Sequence, residues 1–340
     1  MKKFLALMLA LVMCLSLVAC GGGNDAADTG EEAKDDYKLV LKMSHVFAPT
    51  EALTLTMDEI CKNVTEKTGG AIEIQHFPQS QLPVYKDGLE QVVQGAHFIS
   101  VEDPSYVGDY VPDFNVLAGP MLVTSYDQYV YLTKSAEVQD MLARAAEKGI
   151  HVINIDYIFG FRSMMTNKLI ETPEDMKGLK LRVAGCKVLN TAYDLWGANW
   201  TNANWSEVYT GLQTGTYEGQ ENPFPTADGA SMSEVQTHVT NWTGIYDCIF
   251  FTMNKELFDS LPADLQKTVL ECGAKAAENQ RKLQREGVNE VIEKWKAAGV
   301  TVTELSDEAV AEFKAATASM YTDPEIVELL TADLIAAFTK

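Results

Sequence analysis

Residues 160–223 read GFRSMMTNKLIETPEDMKGLKLRVAGCKVLNTAYDLWGANWTNANWSEVYTGLQTGTYEGQENP, and the rest of the chain is read outward from them. Arg162 and Arg182 stand at the ends of two short apolar segments, twenty residues apart. Trp205 comes just before a predicted helix and Asn222 lies in a Glu-Asn-Pro turn just after it. An arginine fork, an aromatic plate and an amide together suit a small carboxylate with a carbon body attached.

Leu179–Val183 alternates with period two, which predicts a half-buried strand with Leu179, Leu181 and Val183 on one face and Lys180 and Arg182 on the other. Thr172-Pro173-Glu174-Asp175 predicts a one-turn helix before it, with Thr172 as cap and Gly178 as stop. Arg182 is thereby expected on a rigid element. On spacing alone, a structural ion pair accounts for it equally well.

In order, the chain carries Gly160-Phe161-Arg162, Thr166-Asn167-Lys168, Pro173-Glu174-Asp175-Met176-Lys177-Gly178, Leu181-Arg182-Val183, Ser206-Glu207-Val208-Tyr209 and Glu218-Gly219-Gln220-Glu221-Asn222-Pro223. This series resembles the signature region of the substrate-binding proteins of TRAP transporters, the DctP-type family, with a weaker match from about Leu39 to Lys340. The resemblance implies an α/β, two-lobed, periplasmic-binding-protein-like (type II) fold, with a cleft between two α/β domains and a long helix spanning both. It also implies site roles. Arg182 would clamp a ligand carboxylate, Arg162 would assist, Trp205 would pack on the ligand and Asn222 would hydrogen-bond to it. Partners implied are a small organic acid and the small and large TRAP membrane subunits.

The chain opens with Met1-Lys2-Lys3 and an apolar run ending in Leu17-Val18-Ala19-Cys20. A basic start, a short apolar stretch and a small residue before cysteine predict a lipoprotein signal over residues 1–19, with lipid attached to Cys20. Residues 20–36, Gly-rich and then acidic, read as a flexible tether. Removing residues 1–19 takes away Lys2 and Lys3 and moves the net charge from −21 to −23. Such a surface is unsuited to nucleic acid, and a monomer outside the cytoplasm is expected. Cys61, Cys186, Cys248 and Cys272 have no metal-ligand spacing and read as core residues. The scattered histidines make no metal motif, so neither metal nor cofactor is assigned.

About 300 residues exceed one core, so two domains are expected: 37–159 plus 248–287, and 160–247 plus 288–340. The first half alternates strand and helix, a parallel α/β pattern that nominates the loops at Ser44–Thr50, Ser80–Lys86 and Ser100–Ser105 as cleft rims. They supply His45, Tyr85, Glu102 and Asp103 as further candidates. Where the family has small residues or acidic turns, this chain has Pro83-Val84-Tyr85-Lys86, Glu102-Asp103 and Thr201-Asn202-Ala203-Asn204. An acidic pair facing the ligand repels a second carboxylate by about 1 kcal/mol at 4 Å in water, and more in a dry cleft. A sugar acid or other hydroxylated monocarboxylate is therefore expected over a plain C4-dicarboxylate.

Residues 150–159 read as one crossing strand and Val239–Met253 as a second, which adds Tyr246 and Asp247 as candidates. Ser206 is expected to cap a helix through Thr214, and a long helix is expected over Ala263–Ala298. The rival readings are a binding lipoprotein of an ABC importer or sensor, a secreted enzyme on a two-lobed scaffold, and a structural surface lipoprotein. No nucleophile elbow, paired metal ligands or Cys/His set favours the enzyme.

Overall fold

The computed structural model describes residues 37–338, so the expected leader, the tether and Cys20 lie outside the described residues. The chain forms strands β1 (Leu39–Ser44), β2 (Ile72–Phe77), β3 (Phe98–Glu102), β4 (Ile150–Phe161), β5 (Ser163–Thr166), β6 (Lys180–Val183), β7 (Asn199–Asn202), β8 (Gly219–Asn222), β9 (His238–Asn241), β10 (Tyr246–Asn254) and β11 (Thr301–Glu304). They build two sheets. The first has the order β2-β1-β3-β10-β4, the second β11-β9-β5-β8-β6-β7.

Period-two patterning produces the first sheet. Leu39, Leu41 and Met43 of β1 are buried while Val40 and Lys42 face outward. Helices α1 (Ala52–Lys67) and α2 (Tyr85–Val93) return the chain, so β2 and β3 pair with β1 in parallel. β10 arrives later and runs antiparallel to both β3 and β4. In the second sheet β6 lies parallel to β7 and β8. Helices α3 (Lys187–Leu195), α4 (Trp205–Gln213) and α5 (Phe224–Gly229) follow β6, β7 and β8. Each sheet with its helices is one lobe of a two-lobed periplasmic-binding fold.

Among the described residues, three connections pass between the two sheets. β4 ends at Phe161 in the first sheet and β5 begins at Ser163 in the second, with Arg162 alone between them. The expected second crossing is two strands: β9 lies in the second sheet, four residues turn, and β10 enters the first. The third is α6 (Ala263–Ala297), 35 residues and about 50 Å long, with no internal proline. It packs on α1 and β4 in one lobe and on α5 and β11 in the other. Ile292 and Trp295 share a buried cluster with Met165, Val208 and Phe224. The helices α7 (Pro324–Leu330) and α8 (Ala332–Phe338) pack on the Pro112–Ala118 turn, and the helix Asp307–Thr317 packs on α3.

At the end of β4 the pairing with β10 slips: Asp247 faces Gly160 and Cys248 faces Ile158, a bulge that skips Phe159. The long helix hydrogen-bonds this stretch of backbone. Gln280 accepts from the Ile158 N–H at 3.0 Å and donates to its carbonyl at 2.6 Å, and Gln284 Nε2 donates to the Phe159 carbonyl at 2.5 Å. Gly160 has φ +121°, and an added Cβ would meet Gln284 Nε2 at 3.2 Å. The four cysteines at 61, 186, 248 and 272 are free and buried.

Candidate ligand-binding cleft

The strand carrying Arg182 is positioned as its local sequence dictates. Asp175 accepts from the Thr172 N–H at 2.9 Å, and Gly178 turns the chain at φ +71° into β6. Arg182 is 4% exposed. Its Nε and Nη2 donate to the Ala203 carbonyl at 2.9 and 2.7 Å, and its Cζ lies 5.6 Å from the centre of the Trp205 ring. Among the described residues Arg182 has no acidic partner within ion-pair distance. Burial pushes its guanidinium below the usual value, Glu221 opposing from a distance. Ala203 uses one edge of the fork, so the end formed by Nη1 and the second Nη2 hydrogen remains for a two-oxygen anion.

Arg162 is built differently. It ion-pairs with Glu221, and its Nη1 donates to Asp247 Oδ2 at 2.5 Å. Its Nη2 donates to the Glu221 carbonyl and to Asn222 Oδ1, both at 3.3 Å. Burial works against its charge, but Glu221 and Asp247 outweigh that and hold it above the usual value. The expected assisting arginine thus lines the cleft with its charge already met by two carboxylates. Asn222 also donates to Gln220 Oε1 at 2.8 Å.

The first lobe contributes an acidic wall. Glu102 Oε1 accepts from the Tyr85 N–H at 2.5 Å, and Asp103 Oδ1 accepts from the Ser105 N–H at 2.7 Å. Burial raises the Glu102 carboxyl well above its usual range, with Asp103 adding to the effect. Burial does the same to Asp247, with Asp103 as the next cause. Tyr85, at φ +57°, packs against Tyr106 with ring centres 5.4 Å apart and the planes tilted by 41°. Its hydroxyl accepts from the Trp205 N–H of the other lobe at 2.9 Å. That contact corrects the expected helix cap: α4 begins at Trp205, one residue before Ser206, and the first-turn N–H is met from across the cleft.

Arg182, Arg162, Trp205, Asn222, Tyr85, Glu102, Asp103 and Asp247 line one narrow cleft, with about 60 Å³ open to the centres of water-sized molecules. Two candidates are not among the lining residues. Tyr246 precedes Asp247 on β10, so strand alternation turns it away, and it packs against Tyr129 with ring centres 4.6 Å apart. His45 points to the second strand. Its Nδ1 accepts from the Phe47 N–H at 3.1 Å, its Nε2 meets His76 Nε2 at 2.6 Å, and His76 Nδ1 meets Asp58 Oδ1 at 2.6 Å. Residues the sequence reading did not single out are Glu221, which holds Arg162, and Phe47, Phe159, Thr226 and Ile249, which line the cavity. Glu221 stood inside the Glu-Asn-Pro motif, Phe47 inside the nominated Ser44–Thr50 loop, and Phe159 and Ile249 on the two crossing strands; Thr226 carried no signal.

A buried guanidinium with no acid partner, beside an aromatic ring, in a cleft between two sheets joined by crossing strands, defines the class: a two-lobed solute-binding protein. The model of the bacterial extracellular solute-binding protein family 7, DctP, matches residues 43–326, and the chain belongs to that family, the DctP-type solute-binding proteins of TRAP transporters. These are transport proteins and not enzymes. The C4-dicarboxylate-binding periplasmic protein DctP of Rhodobacter capsulatus is 30% identical over 302 residues, 88% of this chain and 90% of its own. A TRAP periplasmic solute-binding protein of Desulfovibrio salexigens, in complex with diglycerolphosphate, has 38% identity and a TM-score of 0.84 over 89% of this chain and 96% of its own. One from Fusobacterium nucleatum with bound sn-glycerol 3-phosphate has 31% identity and a TM-score of 0.81, covering 88% and 98%. One from Actinobacillus succinogenes with bound L-galactonate has 27% identity and a TM-score of 0.82, covering 88% and 99%. Among the described residues no helix is long and apolar enough to cross a membrane.

Proposed function

We propose that this chain captures a small hydroxylated organic anion outside the cytoplasm and delivers it to a TRAP membrane permease of small and large subunits, tethered to the membrane by lipid on Cys20. The observation that carries the reading is Arg182, buried in the cleft, free of acid partners and with one end of its fork open. An anion arriving there gains a charge-assisted, two-point hydrogen bond in a dry site. Trp205 covers its carbon skeleton.

The wall opposite favours one negative charge. Glu102, Asp103 and Asp247 line the same cavity, and Arg162 beside them is already paired with Glu221 and Asp247, so a second carboxylate would find no free cation there. Hydroxyl groups donate to such a wall at no electrostatic cost. A sugar acid is therefore favoured over a plain C4-dicarboxylate. The L-galactonate and glycerol phosphate complexes of similar proteins are compatible with this preference, and the C4-dicarboxylate name of the Rhodobacter relative is the competing case.

Thermal unfolding of the mature chain against galactonate, erythronate, sn-glycerol 3-phosphate and succinate tests the reading, beside Arg182→Ala. A ligand at a hundredfold excess over Kd stabilises the folded state by about 2.7 kcal/mol. A shift in wild type that Arg182→Ala loses supports the clamp. An equal shift in both removes Arg182 from the site, and a preference for succinate overturns the ligand class. Release of the protein from the membrane fraction by Cys20→Ser checks the anchor.

A further inference from the structure

The amide of Asn222 ends a chain of buried amides that runs behind the cleft. Arg162 Nη2 donates to Asn222 Oδ1 at 3.3 Å, and Asn222 Nδ2 donates to Gln220 Oε1 at 2.8 Å. Gln220 Nε2 donates to Gln236 Oε1 at 3.2 Å and to Met165 Sδ at 3.0 Å. Gln236 Nε2 donates to the Met165 carbonyl. Gln220, Gln236 and Asn222 are 0%, 1% and 3% exposed. Strand register brings them together. On β8, Gln220 stands opposite Met165 of β5 on one side and Arg182 of β6 on the other. Gln236 lies two residues before β9, which pairs with β5.

The ends of the chain fix its direction. A guanidinium only donates and a backbone carbonyl only accepts. Reversing the three amides would turn an N–H towards Arg162 and set the Gln236 oxygen against the Met165 oxygen, so each amide has one allowed orientation. Asn222 therefore spends its oxygen on Arg162 and one Nδ2 hydrogen on Gln220. Its second Nδ2 hydrogen has no acceptor among the described residues, and Asn222 lines the cleft. Asn222 is two residues beyond Gln220, so it shares a sheet face with Arg182 and is its diagonal neighbour. With about 60 Å³ open to the centres of water-sized molecules, the cleft leads the carbon next to an acid group on Arg182 past Asn222.

We propose that Gln220 and Gln236 are positioning residues for ligand recognition. Through them the Met165 backbone holds the Asn222 amide so that it offers one N–H to the ligand, and the site selects anions with a hydrogen-bond acceptor on the carbon next to the acid group. Neither glutamine lines the cleft itself. A 2-hydroxy acid supplies the acceptor, and its own O–H remains for the acidic wall of the first lobe. A 2-deoxy acid leaves the buried Asn222 donor unmet, which is costly. The ligand selectivity rests on the anion-binding reading; the amide chain does not.

Titration calorimetry with galactonate and 2-deoxygalactonate, on wild type, Gln236→Met and Gln236→Glu, tests the proposal. The wild type should bind the deoxy acid roughly tenfold more weakly. Methionine keeps the side-chain length and cuts the chain, so Gln236→Met should bind galactonate roughly fivefold more weakly and lose most of the discrimination. At pH 5 the neutral, buried carboxyl of Gln236→Glu has one donor for Met165 and one acceptor for Gln220, and should restore the discrimination. No discrimination by the wild type overturns the proposal. So does equal discrimination by wild type and Gln236→Met, which would leave Gln236 a purely structural role whatever the unfolding temperature. Failure of Gln236→Glu to differ from Gln236→Met at pH 5 overturns the directional chain. Side-chain amide hydrogen exchange tests that chain without ligand: the Asn222 and Gln220 amides should exchange roughly tenfold faster in Gln236→Met, and equal rates overturn it. If galactonate fails to bind while the amides exchange as stated, the functional reading fails and the chain stands.

Discussion

Arg162 Nη1 donates to Asp247 Oδ2 at 2.5 Å, and the two residues sit on the two strand crossings that join the lobes. The Arg162 N–H donates to the Ile245 carbonyl at 2.9 Å and its carbonyl accepts from Trp242 Nε1 at 3.0 Å, so backbone and side chain knit both crossings at one residue. Arg162 is therefore a hinge residue whose charge is internal to the fold. Arg182 has the charge that a ligand can use.

The two arginines should respond differently to truncation. Arg162→Ala leaves Glu221 and Asp247 buried without their cation, and breaking a buried pair costs about 3–5 kcal/mol. Denaturant unfolding without ligand should show that loss, and an unchanged midpoint would sink the structural assignment. Arg182→Ala removes a buried cation that has no acid partner, so ligand-free stability should change far less. Binding should weaken by about 2–5 kcal/mol, the cost of truncating a buried charge pair.

Tyr85→Phe should shorten the lifetime of the complex. The phenol accepts from the Trp205 N–H across the cleft, a contact available only when the lobes meet. Leaving that donor unmet costs about 1–3 kcal/mol, or roughly a 5- to 150-fold faster dissociation. Stopped-flow fluorescence reads both rates; the association rate should hold. An unaltered dissociation rate would show that the contact does not latch the closed form.

Glu51 predicts an alkaline-side instability. It is 4% exposed, accepts from the Ala48 N–H at 2.7 Å and from Thr226 Oγ1 on the other lobe at 2.9 Å, and burial raises its carboxyl to about 8. With the folded pKa above the unfolded one, the folded state binds more protons between the two. Its stabilising contribution is full below the unfolded value and is lost as pH rises through about 8. Glu51→Gln keeps both hydrogen bonds available and should flatten that decline. Unfolding free energies from pH 5 to 9 decide it; parallel curves for the two proteins would refute the assignment.

His45 has the opposite sign. Burial and then His76 hold its pKa down to about 3. Its Nδ1 accepts from Phe47, so its proton is on Nε2, and His76 must carry its own on Nδ1 towards Asp58. Protonation breaks this chain. The contribution is present above the unfolded value and is lost as pH falls towards about 3. His45→Gln should reduce the acid-side slope in the same unfolding series, and an unchanged slope would place the acid sensitivity elsewhere.

Much of this protein was legible before any coordinates. Period-two runs predicted β1 and β6 and the strand-helix series predicted β2 and β3; β1 and β2 alternate as half-buried strands do, whereas β3 is buried throughout and β6 buries Arg182 as well. Capping chemistry placed the turn at Pro173–Met176, and the proline-free run after Pro262 predicted a helix now seen over Ala263–Ala297. The motif series identified the family and put Arg182, Trp205 and Asn222 within one stretch. What the sequence could not decide was which arginine is free. The partners of Arg162 stand 59 and 85 residues away, on β8 and β10, and no local pattern encodes that meeting. The same holds for Tyr85 and Trp205, 120 residues apart. Side-chain periodicity is a property of neighbours along the chain, whereas the charge left over in a cleft depends on which distant carboxylates the sheets bring beside it.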